Sequence, residues 1–223
     1  MLVTNDDGVT AAGIDTLVTA LETLPDVDVA VVAPADDKTG TGGMTTAGRL
    51  TTTDATTASG HPAKGVDGFP ADTIRAAIED LGLEVDLVVS GINAGQNLGS
   101  LVNVSGTVGA ARAASAAGIP ALAVSQGIGD PFDYPAALPY VLDWVRERRQ
   151  DLIAGTVPDA VANMNVPSCP AGEVRGLREE VLDADATAGL VVPQDCTSTS
   201  DPAGDVAAFN AGYATLTAPL PDP

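Results

Sequence analysis

The chain has 223 residues, 45% of them hydrophobic, which is enough to bury a sizeable core in one large domain or in one domain with an appendage. Its 30 acidic residues outnumber its 10 basic ones and give a formal net charge of -20, which argues against nucleic acid as a main partner. No apolar run approaches the ~20 residues of a membrane span and no basic segment leads into an apolar one as in a secretion signal, so we expect a soluble, cytoplasmic protein without a membrane partner.

The first stretch, Leu2-Val3-Thr4 followed by Asn5-Asp6-Asp7-Gly8, is a short apolar run that ends in two adjacent carboxylates and a glycine. This pattern is typical of a strand that carries charged groups to one edge of a sheet, where loops carry function. Two neighbouring carboxylates repel each other unless a cation lies between them, and Mg²⁺ prefers such oxygen ligands. The same residue types also form ordinary turns, so this stretch alone predicts a metal site and a plain turn about equally.

Strands and helices alternate after this stretch, which predicts a parallel sheet built from right-handed strand-helix-strand units. The first helix buries one apolar face between Ile14 and Leu24 and ends near Pro25. The further elements predicted, in order, are a strand at 27–33, a polar loop at 35–43 without a dinucleotide fingerprint, a Thr- and Gly-rich region at 44–60 with one or two edge strands, a helix that begins at Pro70, a strand at 86–91, a helix at 104–118, a strand at 120–125, a helix at 135–150, a strand at 161–166, and short strands around 174–177, 189–192 and 213–217.

The loop at 92–99 follows a buried strand and is predicted to lie at the same edge as the two carboxylates. It contains Asn93 and Asn97, whose amides can bind a hard cation or donate hydrogen bonds to an anion. Its glycines permit backbone N–H groups to converge, so we consider it a second functional loop.

Ser105-Gly106-Thr107 opens the next helix and supplies two hydroxyls beside the free N–H groups of a helix start. This end of the helix dipole suits a phosphate group. An ordinary N-cap explains the same residues, and on this stretch alone the cap is favoured about two to one.

Cysteine and histidine are scarce. Cys169 and Cys196 are too few for a disulfide framework and lack the spacing of a zinc finger, while a single bridge between them stays open. His61, the only histidine, lies in a Gly- and Thr-rich loop and is interpreted as a solvated surface residue. A histidine-rich zinc site is therefore excluded and a Ser-His-Asp triad is disfavoured, which leaves carboxylates, hydroxyls, amides and a metal for any chemistry.

The acidic residues are spread along the chain, and Lys38 and Lys64 are its only lysines. The regular apolar periodicity argues against disorder. Such a dispersed acidic surface indicates a folded protein adapted to high salt, where screening relieves self-repulsion, and favours a halophilic archaeal source. We therefore predict that the protein loses structure in dilute buffer. Far-UV circular dichroism before and after dialysis from concentrated to dilute KCl measures this, and an unchanged spectrum would contradict it.

With these loops placed, the chain resembles the SurE family of metal-dependent nucleotidases, which act on nucleoside monophosphates. The matching residues lie in order along most of residues 2–167. They are Thr4-Asn5-Asp6-Asp7-Gly8 with Gly13, Val32-Ala33-Pro34 with Thr39-Gly40, Val66-Asp67-Gly68 with Pro70-Ala71-Asp72, Val89-Ser90-Gly91-Ile92-Asn93 with Gly95, Asn97-Leu98-Gly99, Ser105-Gly106-Thr107-Val108-Gly109-Ala110-Ala111, Gly118-Ile119-Pro120, Asn165-Val166-Pro167 and Gly212-Tyr213.

The resemblance implies a site at one edge of the sheet and hydrolysis of a phosphomonoester with one divalent cation per subunit, Mg²⁺ or Mn²⁺. It assigns catalytic and metal-binding roles to a first group of residues and phosphate binding to a second. The metal ligands are Asp6, Asp7, Thr39 and Asn93, with Asp6 and Asp7 also catalytic, and the phosphate ligands are Asn97, Ser105, Gly106 and Thr107.

The resemblance further implies an α/β fold, a Rossmann-like three-layer sandwich with a mainly parallel sheet and a C-terminal extended β arm. We expect a catalytic core at 1–167 and an arm at 168–223 that packs on the core or on a partner subunit, in a homodimer or homotetramer. The chain departs from the family in having Thr39 where serine is usual, and the similarity is thin beyond Val166.

Two other functions were weighed. A dinucleotide-dependent oxidoreductase on a similar sheet is disfavoured because the glycine fingerprint is missing. A non-catalytic sensor that binds a nucleotide through a metal is the stronger alternative, since binding phosphate and metal does not require turnover.

Overall fold

The computed structural model describes residues 1–154, 160–183 and 194–221. The strands in these ranges are β1 (Leu2–Thr4), β2 (Ala30–Pro34), β3 (Thr52–Thr56), β4 (Pro62–Val66), β5 (Val88–Ala94), β6 (Ala121–Gln126), β7 (Val161–Val166), β8 (Leu177–Glu179) and β9 (Ala214–Thr217). The helices are α1 (Ala12–Leu21), α2 (Pro70–Arg75), α3 (Gly106–Ala116), α4 (Leu138–Ala154) and α5 (Asp205–Asn210). A π-helical turn at Ala76–Asp80 and 3₁₀ turns at Gly99–Asn103 and Tyr134–Ala137 complete them.

The strands form one sheet in the order β3-β4-β2-β1-β5-β6-β7-β9-β8. Pairing is parallel except between β3 and β4 and between β7 and β9, which are antiparallel. The chain starts at the centre with β1, builds towards β2 and β4 on one side, and then returns to build β5, β6 and β7 on the other. The strand order therefore reverses between β1 and β5, which is where α/β folds open a crevice for ligands.

Helices cover both faces of the sheet. Adjacent residues of β1 point to opposite faces, so Val3 joins one core with side chains of α1 and α4. Leu2 joins a second core with side chains of α2 and α3. The predicted three-layer α/β sandwich with a mainly parallel sheet is confirmed.

Several element boundaries differ from the prediction. Helix α1 ends at Leu21, because Thr23 and Leu24 already bond back to carbonyls only three residues earlier, and Asp26 turns the chain with φ 55°. Strand β2 consequently begins at Ala30 instead of residue 27. Pro70 opens α2 as predicted, but this helix widens into the π-helical turn after Arg75.

The C-terminal part contributes to the same sheet. Strand β9 confirms the strand predicted at 213–217, and β8 lies later than the one predicted at 174–177. The strand predicted at 189–192 lies outside the described residues. The division into a core at 1–167 and an arm at 168–223 stays a prediction.

Cys169 and Cys196 form a disulfide. His61 is half-buried, pairing through Nδ1 with Glu22 at 3.0 Å and lying 3.2 Å from Thr19 through Nε2, so it is less solvated than predicted. Across the ranges that the structure describes, no helix has both the length and the apolar character needed to cross a bilayer.

Candidate functional site

The two carboxylates Asp6 and Asp7, hereafter the carboxylate pair, lie beside Asn93 at the carboxyl edge of the sheet. Strands β1 and β5 run parallel with Thr4 opposite Ser90, so both chains reach this edge a few residues later. The backbone N–H of Ala94 donates a hydrogen bond of 3.1 Å to Oδ2 of Asp7. The sheet thus brings the start of the chain against Asn93 and Ala94, as the sequence predicts. These residues are the end of β5, which pairs with β6 through Ala94, so the prediction that this strand ends at residue 91 was wrong.

Asp6 is held by the first turn of α3. Its side chain is buried, and its Oδ1 accepts a hydrogen bond of 2.5 Å from the hydroxyl of Thr107. The neighbouring Gly106 leaves no room for a side chain, because a Cβ there would lie 2.8 Å from Cβ and Oδ2 of Asp6. The Asp6 carbonyl also accepts from the N–H of Lys38 at 2.7 Å, which draws the loop after β2 to the same place.

The pKa values of both carboxyls in the carboxylate pair are raised. Burial raises the pKa of Asp6, and the hydrogen bond from Thr107 opposes this rise. Burial, followed by the charge of Asp6, raises the pKa of Asp7 to about 6, against the hydrogen bond from Ala94. Both carboxyls are therefore costly to ionise, and a bound cation would offset that cost.

Asp37 is a third carboxylate at this site, and the sequence analysis did not assign it a role. Its charge contributes to the raised pKa of both Asp6 and Asp7. Hydrogen bonds from the hydroxyl and the N–H of Thr39, at 2.6 Å and 2.8 Å, lower the pKa of Asp37 itself. The acidic doublet that ends at Asp37, directly after β2, was the available signal, because β2 ends at the same sheet edge.

Thr39 reaches the site only through Asp37. Its exposed side chain donates its hydroxyl proton to Oδ1 of Asp37. A role as a metal ligand requires the hydroxyl oxygen to face the carboxylate pair, and this role stays a prediction.

Asn93 offers an acceptor without a partner. Its side chain is buried, and Nδ2 donates to the carbonyl of Gly95 at 2.7 Å. Its Oδ1 has no hydrogen-bond partner. A buried carbonyl oxygen left unpaired is costly. This oxygen belongs to the residue before Ala94, whose N–H bonds to Asp7, so the end of β5 fits a cation site. In the described ranges, no cluster of three or more His, Cys, Asp or Glu side chains is arranged to hold a metal.

The residues predicted to bind phosphate lie at the start of α3 and in the loop after β5. Ser105 is the N-cap of α3, and its Oγ accepts from the N–H of Val108 at 3.2 Å, so the alternative of an ordinary cap is present in the structure. Gly106 and Thr107 form the first turn against Asp6. Their role in phosphate binding stays a prediction.

Asn97 is fixed by polar side chains from β6 and β7. Its Nδ2 donates to Oγ of Ser125 at 2.8 Å, and its N–H donates to Oδ1 of Asn165 at 2.7 Å. Its carbonyl accepts from Nδ2 of Asn163 at 2.8 Å and of Asn165 at 3.1 Å. These contacts place the loop at 92–99 firmly on the sheet edge.

Three positioning residues were missed by sequence reasoning. Asn163 and Asn165 alternate with apolar residues in β7, so two buried amides on one face of a strand were the available signal. Asp205, at the start of α5, accepts from the N–H of Gly99 at 2.8 Å and so ties the C-terminal part to the same loop. No local sequence pattern predicts that contact.

A family model described as Survival protein SurE matches residues 1–185. The chain belongs to the SurE family. One relative of this SurE chain, 5'-nucleotidase SurE from Pelobacter propionicus, is 42% identical over 178 residues, which cover 78% of this chain and 68% of the relative. The protein of the same name from Brevibacillus brevis is 38% identical over 184 residues, covering 79% and 69%.

A solved structure supports the same assignment. The crystal structure of SurE from Aquifex aeolicus superposes with a TM-score of 0.76 at 26% sequence identity, covering 97% of this chain and 91% of that one. The resemblance to SurE inferred from the sequence is confirmed. A halophilic archaeal source stays a prediction.

Proposed function

We propose that this chain is a metal-dependent phosphomonoesterase that hydrolyses nucleoside monophosphates to nucleosides and phosphate. Its relatives carry the name 5'-nucleotidase. The observation that carries the proposal is the contact of the carboxylate pair with the end of β5, where the N–H of Ala94 bonds to Asp7 and the preceding Asn93 has an unpartnered Oδ1. This contact lies at the point where the strand order reverses. Such a group of oxygens suits a hard divalent cation.

One Mg²⁺ or Mn²⁺ per subunit would be held by Asp6, Asp7 and Asn93, with Thr39 as the fourth proposed ligand. When bound, the cation supplies positive charge that polarises a phosphoryl group and lowers the pKa of a water molecule. The raised pKa of both carboxyls and the unpaired amide oxygen of Asn93 support this choice of metal ligands.

The chain's own groups would orient the substrate and move a proton. Asp7 is only partly buried at the sheet edge, so we assign it to accept a proton from the attacking water. The N–H groups of Gly106 and Thr107 lie at the positive end of α3 and would donate to the phosphoryl oxygens. The hydroxyl of Ser105 and the amide of Asn97 complete the proposed cradle.

Competition between a proton and the cation for the Asp7 carboxylate tests whether Asp7 is a metal ligand. Because its pKa is raised to about 6, Asp7 holds a proton below that pH and must release it to bind a cation. Mn²⁺ affinity should therefore fall by at least about tenfold per pH unit below pH 6, because Asp6, whose pKa is also raised, can hold a second proton. Titration calorimetry from pH 5 to 8 measures this, and an affinity that stays constant down to pH 5 would contradict the assignment.

Multiple-turnover release of phosphate from AMP tests the function itself. With Mg²⁺ or Mn²⁺ in concentrated salt, we expect many phosphates per chain and none after chelation. Binding of AMP with no phosphate release would favour the metal-dependent nucleotide sensor instead.

We also propose a cytoplasmic homodimer or homotetramer in which residues of the C-terminal arm pack on a partner subunit. In the described part of the sheet, β8 is the last strand, and Leu177 and Val181 at this edge are exposed at 40% and 75%. An open strand edge with exposed apolar side chains favours pairing with another chain. The molar mass in concentrated salt, measured by light scattering, tests this proposal.

A further inference from the structure

Phe132 and Tyr134 form an aromatic pair in the connection between β6 and α4. Their rings stack with centroids 5.6 Å apart and planes inclined by 13°, and both are only half-buried. Aromatic residues make up 3% of this chain, so a partly exposed stack is an uncommon feature of it. Exposed aromatic faces suit a planar ligand.

The pair adjoins the carboxylate site. A Cβ placed on Gly13 would lie 3.2 Å from Cε1 of Tyr134 and 1.9 Å from the carbonyl oxygen of Ile92, the residue before Asn93. The ring of Tyr134 and the end of β5 therefore meet over Gly13.

Phe132 lines a cavity of about 500 Å³, within the size range of small-molecule sites. Its walls are the segment at 128–133 on one side and the segment at 168–170 with Gln194 on the other. The N–H of Ile128 donates to Oε1 of Gln96 at 3.0 Å, which joins this wall to the loop that follows β5 and carries Asn97. The cavity therefore opens at the same sheet edge as the carboxylate pair.

The wall opposite Phe132 is fixed in place. Gln194 donates through Nε2 to the carbonyl of Ile128 at 2.9 Å and accepts through Oε1 from the N–H of Ser168 at 2.5 Å. The hydroxyl of Ser168 donates to the carbonyl of Gly127 at 2.7 Å and accepts from Nε2 of Gln126. A wall with its polar groups already bonded holds its shape before a ligand arrives.

The acidic residues at the cavity favour a neutral ligand over an anion. Asp130 and Asp133 are exposed at the cavity, so a phosphate would be repelled there. The same carboxylates can accept hydrogen bonds from the N–H groups of a neutral base. The aromatic faces and the acidic rim together favour a nucleobase over a second anion.

We propose that the Phe132 and Tyr134 pair is the stacking platform for the base of the nucleotide, with the base seated in this cavity and the phosphate at the carboxylate pair. This inference rests on the proposed function and names the part of the site that recognises the nucleoside. Purines should be preferred to pyrimidines, because a two-ring base has the larger face to stack.

The test compares AMP with ribose 5-phosphate, which carries the same phosphate without a base. Base stacking on an aromatic side chain corresponds to about 5- to 150-fold in binding. We expect Phe132→Ala to lower the ratio of kcat/KM for AMP to that for ribose 5-phosphate by this factor, with most of the change in KM for AMP. Phe132→Tyr should restore the ratio, while Phe132→Leu, which is apolar but has no aromatic face, should not.

Ile153→Ala serves as the control, because Ile153 is 72% exposed on α4 and lines a cavity with Met1, at the opposite end of β1 from the carboxylate pair. It should leave the ratio unchanged. An unchanged ratio in Phe132→Ala, or a Leu variant equal to the wild type, would overturn the proposal. A wild type that hydrolyses neither substrate would instead refute the proposed function. Calorimetry of adenosine binding to the wild type and to Phe132→Ala would then test the stacking platform by itself, and equal affinities would overturn it.

Discussion

Asp7→Asn should lower phosphate release from AMP by at least about 100-fold with saturating Mg²⁺ or Mn²⁺. The change removes one of the two charges proposed to hold the cation and also the group proposed to accept the proton. Asparagine keeps an oxygen that can accept from the N–H of Ala94, so the local fold has no reason to change. The rate of phosphate release measures the effect.

The stability of the same variant separates a functional loss from a structural one. A pKa raised to about 6 means that the folded protein binds the Asp7 proton more tightly than the unfolded chain does, so the ionised carboxyl destabilises the fold at pH 7. Removing that charge should leave the unfolding midpoint of the metal-free protein unchanged or raise it. Asp36→Asn, which neutralises an exposed carboxylate in a nearby loop, is the matched control and should keep full activity. A two- or threefold loss in Asp7→Asn would show that the centre is misplaced.

Gly106→Ala should lower kcat/KM by about 100-fold by displacing Asp6, since a misplacement of about 1 Å in a catalytic site can cost that much. The added Cβ would lie 2.8 Å from Cβ and Oδ2 of Asp6 and 3.0 Å from Cγ of Pro70. Asp6 is buried and cannot withdraw without breaking its 2.5 Å hydrogen bond to Thr107. Mn²⁺ affinity should fall together with the rate.

Gly43→Ala provides the comparison for this substitution. A Cβ at Gly43 meets nothing within 4 Å, and its φ lies outside the region that favours glycine, so this variant should behave as the wild type. Wild-type activity in Gly106→Ala would mean that the position of Asp6 does not matter for turnover.

The meeting of Asp6, Asp7 and Asn93 was predictable because it follows from a general rule of chain topology. Parallel strands deliver their carboxyl ends to one sheet edge, and Thr4 does pair with Ser90. The apolar run at 161–166 likewise predicted β7 with its observed boundaries. These features depend on periodicity that is local to each segment.

The contacts that position the site were not predictable from local pattern. Asp205 bonds to Gly99 across a sequence separation of 106 residues, and Asn165 bonds to Asn97 across 68. Asp37 was predicted only as part of the polar loop at 35–43, without a role, and its effect on the pKa of Asp6 and Asp7 follows from how that loop packs against them. Aspartates and asparagines in different loops look alike in the sequence, and the packing of distant segments determines which of them reach the site.

One cation shared by the turn after β1 and the end of β5 is central to the proposed function. Anomalous diffraction from a crystal soaked in Mn²⁺ locates that cation directly. We predict one peak per chain, in contact with carboxylate oxygens of Asp6 and Asp7 and with Oδ1 of Asn93. A peak bound elsewhere, or one at the carboxylate pair that leaves Oδ1 of Asn93 unbound, would contradict the account.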